Sequence, residues 1–509
     1  MNSLKNMRGV KILLPPPDQI EELFRFLDIA VHYGANALMI ELGGAMEYKR
    51  HPEINEGWLE YAAFMGEYSG KGQKIQEETP WRRNSIHSDN GGGRVLTQDQ
   101  IRTIADYARK LGMEIIPEVP CLSHCDYLLT RHRDLAERAE DPYPDTFCPS
   151  NPKSYELLFD VLEETIELFH PRVINIGHDE FYSFGLCPKC KGKPAPELYA
   201  NDIRKIHDFL AEHHVETMIW AEKLLDAHFI DSHTPCGGAE AKDLPATYPA
   251  IDLVPRDLLL LHWYWSIDRR LEEEFKKRGF RFAFGNFTGR SIPEWKRRSS
   301  AKGFFGCMIS NWGRSDLPTL QRNCLLADLA FGALLDRVDN PDENREMLWE
   351  QAFRSLFDLR YGDHKKRLYI RHSTSLFKPY QYLVDGRVID KEADSLGSYV
   401  ITLKDGREIK APVLYGFNIS CSKQAWFPPR PRNEDLYSGM NEISETTYTT
   451  LPVRIGDHTE YVFGVDLPAN GEVASCVFQP APGHEEETVA FKMLGTFLEP
   501  PSSDEAKRP

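Results

Sequence analysis

Three ionisable residues in a row, His178-Asp179-Glu180, follow the apolar run Val173-Ile174-Asn175-Ile176 and a single glycine, Gly177. An apolar run that turns abruptly ionisable reads as a buried strand whose C-terminal end opens into a site. Adjacent carboxylates repel, and partial burial raises the pKa of at least one of them. That is what a general acid working near neutral pH requires. The same residues also read as a strand end followed by an Asp/Glu turn or helix cap, because perturbed acids mark sites only statistically.

Other apolar runs end in residues of the same kind. Glu41 closes Ala37–Ile40, and Glu118 closes Ile115-Ile116-Pro117 and leads to His124. Trp220 and Glu222 follow Thr217-Met218-Ile219, His262-Trp263-Tyr264-Trp265 follows Leu258–Leu261, and Asn311-Trp312 follows Phe304–Ile309. Carboxylates ringed by tryptophans suit a sugar. Apolar pyranose faces stack on aromatic planes, while acids hydrogen-bond hydroxyls and move protons. Any one of these tryptophans reads equally well as core; four at strand ends favour a site.

A second constellation is Cys187-Pro188-Lys189-Cys190, within ten residues of the paired acids, with Cys125 and Cys148 in preceding loops. A CxxC knuckle and two further cysteines suit a tetrahedral structural zinc, whose four thiolates would pin a loop and leave no open position for chemistry. Free thiols beside a turn are the alternative reading.

The elements that must position these residues follow from periodicity. Strands are expected at 10–14, 37–41, 114–119, 173–180, 217–220, 258–263, 280–284 and 304–309. Helices are expected at 18–33, 98–110, 152–169, 197–213, 266–278, 318–336 and 342–360. Thr97 and Gln100 form a capping box, and Gly34, Gly112 and Gly279 end helices. Eight apolar strands alternating with helices predict an α/β fold, a (β/α)₈ TIM barrel, with its site at the C-terminal ends of the strands. No dinucleotide-type glycine fingerprint follows the first strand, where Pro15-Pro16-Pro17 stands. Residues 45–96 read as a long insertion rich in Tyr, Trp, Arg, Gly and His, of the kind that is functional or disordered.

Beyond about 380, Asp385-Gly386, Asp405-Gly406 and Asn470-Gly471 are hairpin signals between alternating segments, which predicts an antiparallel β domain. The expected division is 1–365 for the barrel, 366–500 for a β-sandwich-like domain and 501–509 for a disordered tail. The 509 residues carry a net charge of −16, with 41% hydrophobic and 27% charged residues. That balance excludes a basic nucleic-acid or anionic-membrane binder. No apolar run approaches the roughly 18 residues of a membrane span. The ten cysteines follow no leader, so a cytoplasmic protein of mostly buried thiols is expected rather than a disulfide framework.

The sequence resembles the catalytic barrel of the family 20 glycoside hydrolases, the β-N-acetylhexosaminidases, over about residues 9–335. The resemblance is carried by Ile176-Gly177-His178-Asp179-Glu180, where the family usually has a second glycine in place of His178. It is carried further by Gly112–Glu118, Leu122-Ser123-His124, Ile219-Trp220-Ala221-Glu222 and Asn311-Trp312. It implies substrate-assisted retention without a catalytic cofactor. Glu180 would be the general acid and then the base, and Asp179 would orient the 2-acetamido group that attacks the anomeric carbon. His124 would support the acid, and Trp220, Trp263 and Trp312 would wall the pocket. Glu41, Glu118, His178, Tyr264, Trp265, Asn311 and Arg314 complete the expected substrate contacts.

The chain also departs from the family. Prolines stand where an arginine is expected after strand one. Asn286-Phe287-Thr288 stands where a tyrosine is expected after strand seven, a role Tyr264 could take. Arg314 replaces the acid expected just after Trp312, which hints at an anionic sugar. The expected partner is therefore a glycan. The β domain could complete the pocket of a neighbouring subunit in a homodimer. Two other functions fit the same residues: a glycosidase using Glu41, Glu118 or Glu222 on a sugar without an acetamido group, and a carbohydrate-binding barrel without activity.

Overall fold

Each of the eight apolar runs becomes a strand, and the strands close on themselves. In the computed structural model they are β1 (Met7–Leu13), β2 (Ala37–Glu41), β3 (Glu114–Cys121), β4 (Val173–Gly177), β5 (Glu216–Trp220), β6 (Leu259–His262), β7 (Arg281–Phe284) and β8 (Phe304–Ser310). Each pairs in parallel with the next in chain order, and β8 returns to β1. The expected TIM barrel is therefore present, with its strands in sequential order. The structure describes residues 4–68, 72–229, 233–242, 244–267, 270–290, 292–378, 382–383, 386–387, 391–424, 446–485 and 489–508. The hairpin signal at Asp385 lies outside them.

Alternation along each strand fills the barrel with Ala37, Met39, Ile116, Val173, Met218, Leu259, Leu261, Ala283 and Met308. Gly9 on β1 makes room for this layer, since a Cβ there would lie 2.5 Å from the Met308 sulfur. One rung higher the same inward series turns polar. Ala37 and Met39 continue to Glu41, Ile116 to Glu118, and Met218 to Trp220. Register sets Glu41 opposite Glu118 and Lys11 opposite Ser310. The apolar layer is thus the floor beneath a charged cup.

The flanking helices follow the predicted stripes. Ile20–His32 buries Leu23, Phe26 and Leu27, and Gln98–Lys110 starts at the expected Thr97–Gln100 capping box. The region expected as a 266–278 helix starts only at Leu271, because a short 3-10 turn at Tyr264–Ser266 first carries Trp265 into the core. The 45–96 insertion holds the helices Pro52–Met65 and Gly72–Glu78. It is pinned through Asp141 Oδ2, which accepts from Arg83 Nη1 at 2.5 Å and Trp81 Nε1 at 2.8 Å.

Contacts divide the chain into two compact units. The first is 1–288, 293–317 and 382–386; the second is 289–292, 318–381 and 387–509. The helices Asn323–Leu334 and Arg345–Tyr361, expected to finish a barrel domain ending at 365, group with the second unit. There, a four-stranded and a three-stranded antiparallel sheet share a core of Leu368, Ile370, Tyr399, Ile401, Val413, Tyr461 and Phe463. The expected disordered tail instead carries a capped helix, Ser503–Lys507. Its end is held by Arg371 Nη1, which donates to the carbonyls of Ala506 at 2.9 Å and Arg508 at 2.7 Å. Among the described residues no helix is long and apolar enough to cross a membrane.

One buried ion pair braces the wall under the tryptophan cluster. Arg298 donates to Glu272 Oε2 from Nε at 2.9 Å and from Nη2 at 2.7 Å, and Nη2 also reaches the Trp265 carbonyl at 2.7 Å. Removing one partner strands a buried charge, a cost of about 3–5 kcal/mol. Arg298→Met should therefore lower unfolding stability by about that amount, measured by guanidinium denaturation.

Candidate active site

Backbone shape decides where the paired acids point. Gly177, His178 and Glu180 all take left-handed conformations, at φ of 70°, 72° and 47°. For a residue with a Cβ this region costs about 1–2 kcal/mol, and such strain persists only where surrounding contacts over-determine it. His178 supplies those contacts. Its Nε2 lies 2.8 Å from Asp202 Oδ2, its Nδ1 3.0 Å from the Ile176 carbonyl, and its own carbonyl accepts from Tyr199 Oη at 3.0 Å. The ring is fully buried behind the sheet. His178 is therefore an anchor for the turn and not the expected substrate contact. The left-handed φ is the physical reason a glycine would serve at this position.

With the turn fixed, Asp179 and Glu180 face a common imidazole. His124 Nε2 lies 3.7 Å from Asp179 Oδ2 and 3.7 Å from Glu180 Oε2. Burial opposes charge on His124, but Asp179 and Glu180 outweigh it and push its pKa up to about 10. Burial likewise works against Asp179, yet the His124 charge holds its carboxyl below the usual range. Glu180 receives Ser85 Oγ on Oε2 at 2.9 Å, and its side chain is 26% exposed, against 11% for Asp179.

The neighbouring acids are occupied by protein partners. Glu41 is gripped by Lys11 Nζ at 2.8 Å and His87 Nδ1 at 2.8 Å; against burial, these two partners hold its pKa down. Glu118 accepts from Trp220 Nε1 at 2.6 Å, and burial pushes it up to about 7. Glu222 accepts the Glu180 backbone N–H at 2.9 Å on one oxygen and Trp263 Nε1 at 3.2 Å on the other. Burial and the adjacent Asp179 charge push Glu222 up to about 8.

The aromatic wall is assembled around these acids. Trp220 and Trp312 lie 5.3 Å apart, and Trp312 Nε1 donates to Asn286 Oδ1 at 2.9 Å. Lys11 Nζ sits 3.4 Å from the Trp312 ring centroid, a buried cation on an aromatic face. The His87 ring stacks on His124 with centroids 4.5 Å apart. Trp263 and Trp312 remain half-buried, able to offer a face. Tyr264 packs against Trp263 at 4.2 Å, and its hydroxyl accepts the Gly237 N–H at 3.2 Å.

Three further expectations change. Trp265 is core, stacked between Phe284 and Phe287 with Nε1 on the Gly285 carbonyl, because its 3-10 turn aims it inward. Asn311 is fully buried and spends its amide on the carbonyls of Gly313 and Arg314, which shapes the strand-eight turn. Cys125 is held at the Pro120 and Ser123 carbonyls, outside the cluster of Cys148, Cys187 and Cys190. Glu137 takes its place beside Cys148, Cys187 and Cys190. Arg314 Nε pairs with Asp316 Oδ2 at 3.0 Å.

Lys11, Ser85 and His87 were not among the expected site residues. Lys11 had one available signal, a lone charge inside an apolar strand. Ser85 and His87 had only the composition of the insertion that delivers them.

Residues 66–238 match the model of the glycosyl hydrolase family 20 catalytic domain. The segment holds β3, β4 and β5 of the barrel, with His124, Asp179, Glu180, Trp220 and Glu222. The chain is similar to that family over this segment. It is 26% identical over 197 residues to a beta-hexosaminidase of Vibrio furnissii, covering 36% of this chain and 30% of that one. It is 26% identical over 122 residues to the beta-hexosaminidase subunit beta of Felis catus, covering 23% of each. The chain thus spans less than a third of the length of these curated relatives. Among solved structures, a beta-N-acetylhexosaminidase of Bacteroides fragilis aligns at 14% identity and TM-score 0.46, over 68% of this chain and 71% of that one. An exo beta-N-acetylglucosaminidase of Vibrio harveyi aligns at 16% and 0.47, over 70% and 58%.

The shifted groups give a definite pH response. Glu222 and Glu118 bind protons more tightly in the folded state than their ordinary 4.5, so each costs stability as pH rises from 4.5 through about 8 and about 7. His124, raised from 6.5 to about 10, contributes stability that is complete below 6.5 and lost as pH climbs through about 10. Stability should therefore fall steadily from mildly acidic to alkaline pH. In denaturant titrations across that range, Glu222→Gln should flatten the fall below about 8, and His124→Gln should flatten it above 6.5.

Proposed function

We propose that this chain is an exo-acting glycoside hydrolase that removes a terminal β-linked N-acetylhexosamine, GlcNAc or GalNAc, by a substrate-assisted retaining mechanism. The observation that carries the reading is the contrast between neighbours at one turn: Glu180 is the most open of the rim carboxylates, while Asp179 beside it is held ionised by His124.

Glu180 gives its proton to the glycosidic oxygen as the bond to the anomeric carbon breaks. The substrate's acetamido oxygen attacks that carbon and forms an oxazolinium ring. Asp179 accepts the acetamido N–H and stabilises the positive charge that develops there. Glu180, now a carboxylate, takes a proton from water as the water opens the ring, which returns the enzyme to its starting state. The protein needs no nucleophile of its own, so adjacent positions suffice for the two acids. Trp220, Trp263 and Trp312 supply apolar faces for the acetamido methyl and the pyranose.

The same contacts weigh against a mechanism run by Glu41, Glu118 or Glu222. Both Glu41 oxygens are held, by Lys11 and His87, Glu118 is tied to Trp220, and both Glu222 oxygens are engaged. Glu41 and Glu118 side chains are only 3% exposed.

On aryl N-acetylhexosaminides with poor leaving groups, Glu180→Gln should lower kcat by about 10²–10⁴, the usual contribution of a general acid, with little change in KM. Asp179→Asn should lower kcat by about 10²–10³ and weaken inhibition by a thiazoline analogue of N-acetylglucosamine. Steady-state kinetics of both variants check this. Unchanged turnover in either variant removes that residue from the mechanism. A wild type that binds these glycosides without cleaving them would make the barrel a binding module.

A further inference from the structure

We propose that Glu137, Cys148, Cys187 and Cys190 form a structural zinc site that staples the loop after β4 to the loop after β3. The four ligand atoms, one carboxylate oxygen and three sulfurs, all lie within 4.8 Å of one another. Cys148 Sγ is 3.2 Å from Cys187 Sγ and 3.5 Å from Cys190 Sγ. A disulfide needs about 2.05 Å between sulfurs, which these pairs exceed by more than an ångström. A tetrahedron with Zn–S of about 2.3 Å has edges of about 3.8 Å, a few tenths longer than the distances seen.

The donors are already positioned by structure that does not depend on an ion. Ala136 and Phe147 form an antiparallel bridge, with the Glu137 N–H on the Thr146 carbonyl at 2.9 Å and the Cys148 N–H on the Leu135 carbonyl at 2.7 Å. On the other side, the N–H groups of Cys190 and Lys191 both close on the Cys187 carbonyl, giving the tight knuckle that brings two cysteines three residues apart to one point.

Glu137 points to a ligand independently of the cysteines. Its Oε2 accepts the backbone N–H groups of Leu186 at 2.8 Å and Cys187 at 2.7 Å. Its Oε1 is buried and has no hydrogen-bond partner, on a residue only 4% exposed. A buried carboxylate oxygen without a partner is costly, and a cation among the three sulfurs would satisfy it. Three thiolates and a carboxylate around one dication leave a net negative charge. Lys189, Lys191 and Lys193 flank the knuckle, and Lys193 Nζ reaches Ser150 Oγ at 2.9 Å, itself 3.2 Å from Cys190 Sγ. All four ligands come from protein, so the site is closed and would do no chemistry.

The loops it joins are the two that carry His124 and the paired acids. The loop after β3 contains His124, and the loop after β4 begins with Asp179 and Glu180. Ser183 Oγ adds one hydrogen bond across the same seam, to Asp145 Oδ1 at 3.0 Å. Zinc would fix the separation of His124 from its acids. This last consequence rests on the proposed hydrolase activity; metal binding itself does not.

The test uses the full chain purified under reducing conditions without chelator, with metal measured by plasma mass spectrometry. About one zinc per chain is expected, retained in Cys125→Ser and lost in Cys187→Ser and Cys190→Ser. Because the serine variants could misfold, cobalt supplies a second readout. Wild-type chain refilled with Co²⁺ should show intense tetrahedral d–d bands and a thiolate-to-cobalt charge-transfer band. Glu137→Gln should keep the fold and the thiolate band, yet weaken zinc at least about tenfold in competition with a chromophoric chelator. Wild-type chain without zinc or cobalt bands, loss of metal in Cys125→Ser, or a Cys148–Cys187 disulfide in the chain as isolated from the cell would overturn the proposal. Chelation should also lower kcat on the N-acetylhexosaminides. Zinc binding in a chain inactive on these sugars would uphold this site and refute the activity.

Discussion

His124, 3.7 Å from one oxygen of each paired acid, is the interaction on which the rest of the site depends. A buried carboxylate such as Asp179 stays charged only beside a cation. The imidazole supplies it, and Asp179 in turn favours charge on that buried ring. Around this triad a second balance holds. Lys11 is shared between Glu41 at 2.8 Å and Glu118 at 3.5 Å, and His87 takes the other Glu41 oxygen. The cup therefore holds five carboxylates whose charges are divided by position: some are held ionised by cations, and others are pushed by burial toward the protonated form.

That division has a mechanical origin. The strand ends place Lys11, Glu41 and Glu118 one rung above an apolar floor, where alternation leaves no choice of direction. The paired acids do not follow alternation. They sit on a strained turn that Gly177 permits and that His178 holds by reaching back to Asp202. Asp202 also receives Tyr155 Oη at 2.5 Å, so the anchor reaches into the two helices packed behind the sheet. Aim at the front of the barrel is set from behind it, by buried residues outside the cup.

Much of this was legible in the sequence. Eight apolar runs, six of them ending in acids or tryptophans, define a closed parallel barrel and the rim that carries its site, because strand burial and strand-end chemistry both leave marks in residue type. Orientation leaves no such mark. His178 and Trp265 are adjacent to site residues and read like them, yet one anchors a turn and the other packs in the core. Lys11 was hidden inside a strand, and Ser85 and His87 arrive from an insertion with no periodic pattern. Glu137 was one acid in a polar loop, brought to the cysteines by pairing between segments that sequence spacing does not reveal. The helices after strand eight look like barrel helices from their apolar faces, but their contacts assign them to the second unit.

The central claim is that the sugar, and not the protein, supplies the nucleophile. It is tested most directly with one wild-type enzyme and a series of aryl glycosides whose acetamido methyl carries successively more fluorine. Fluorine withdraws electrons from the acetamido oxygen without altering the leaving group. The account predicts that kcat/KM falls steeply with each added fluorine. Equal rates along the series, or equal rates on the glycoside with a hydroxyl in place of the acetamido group, would contradict it.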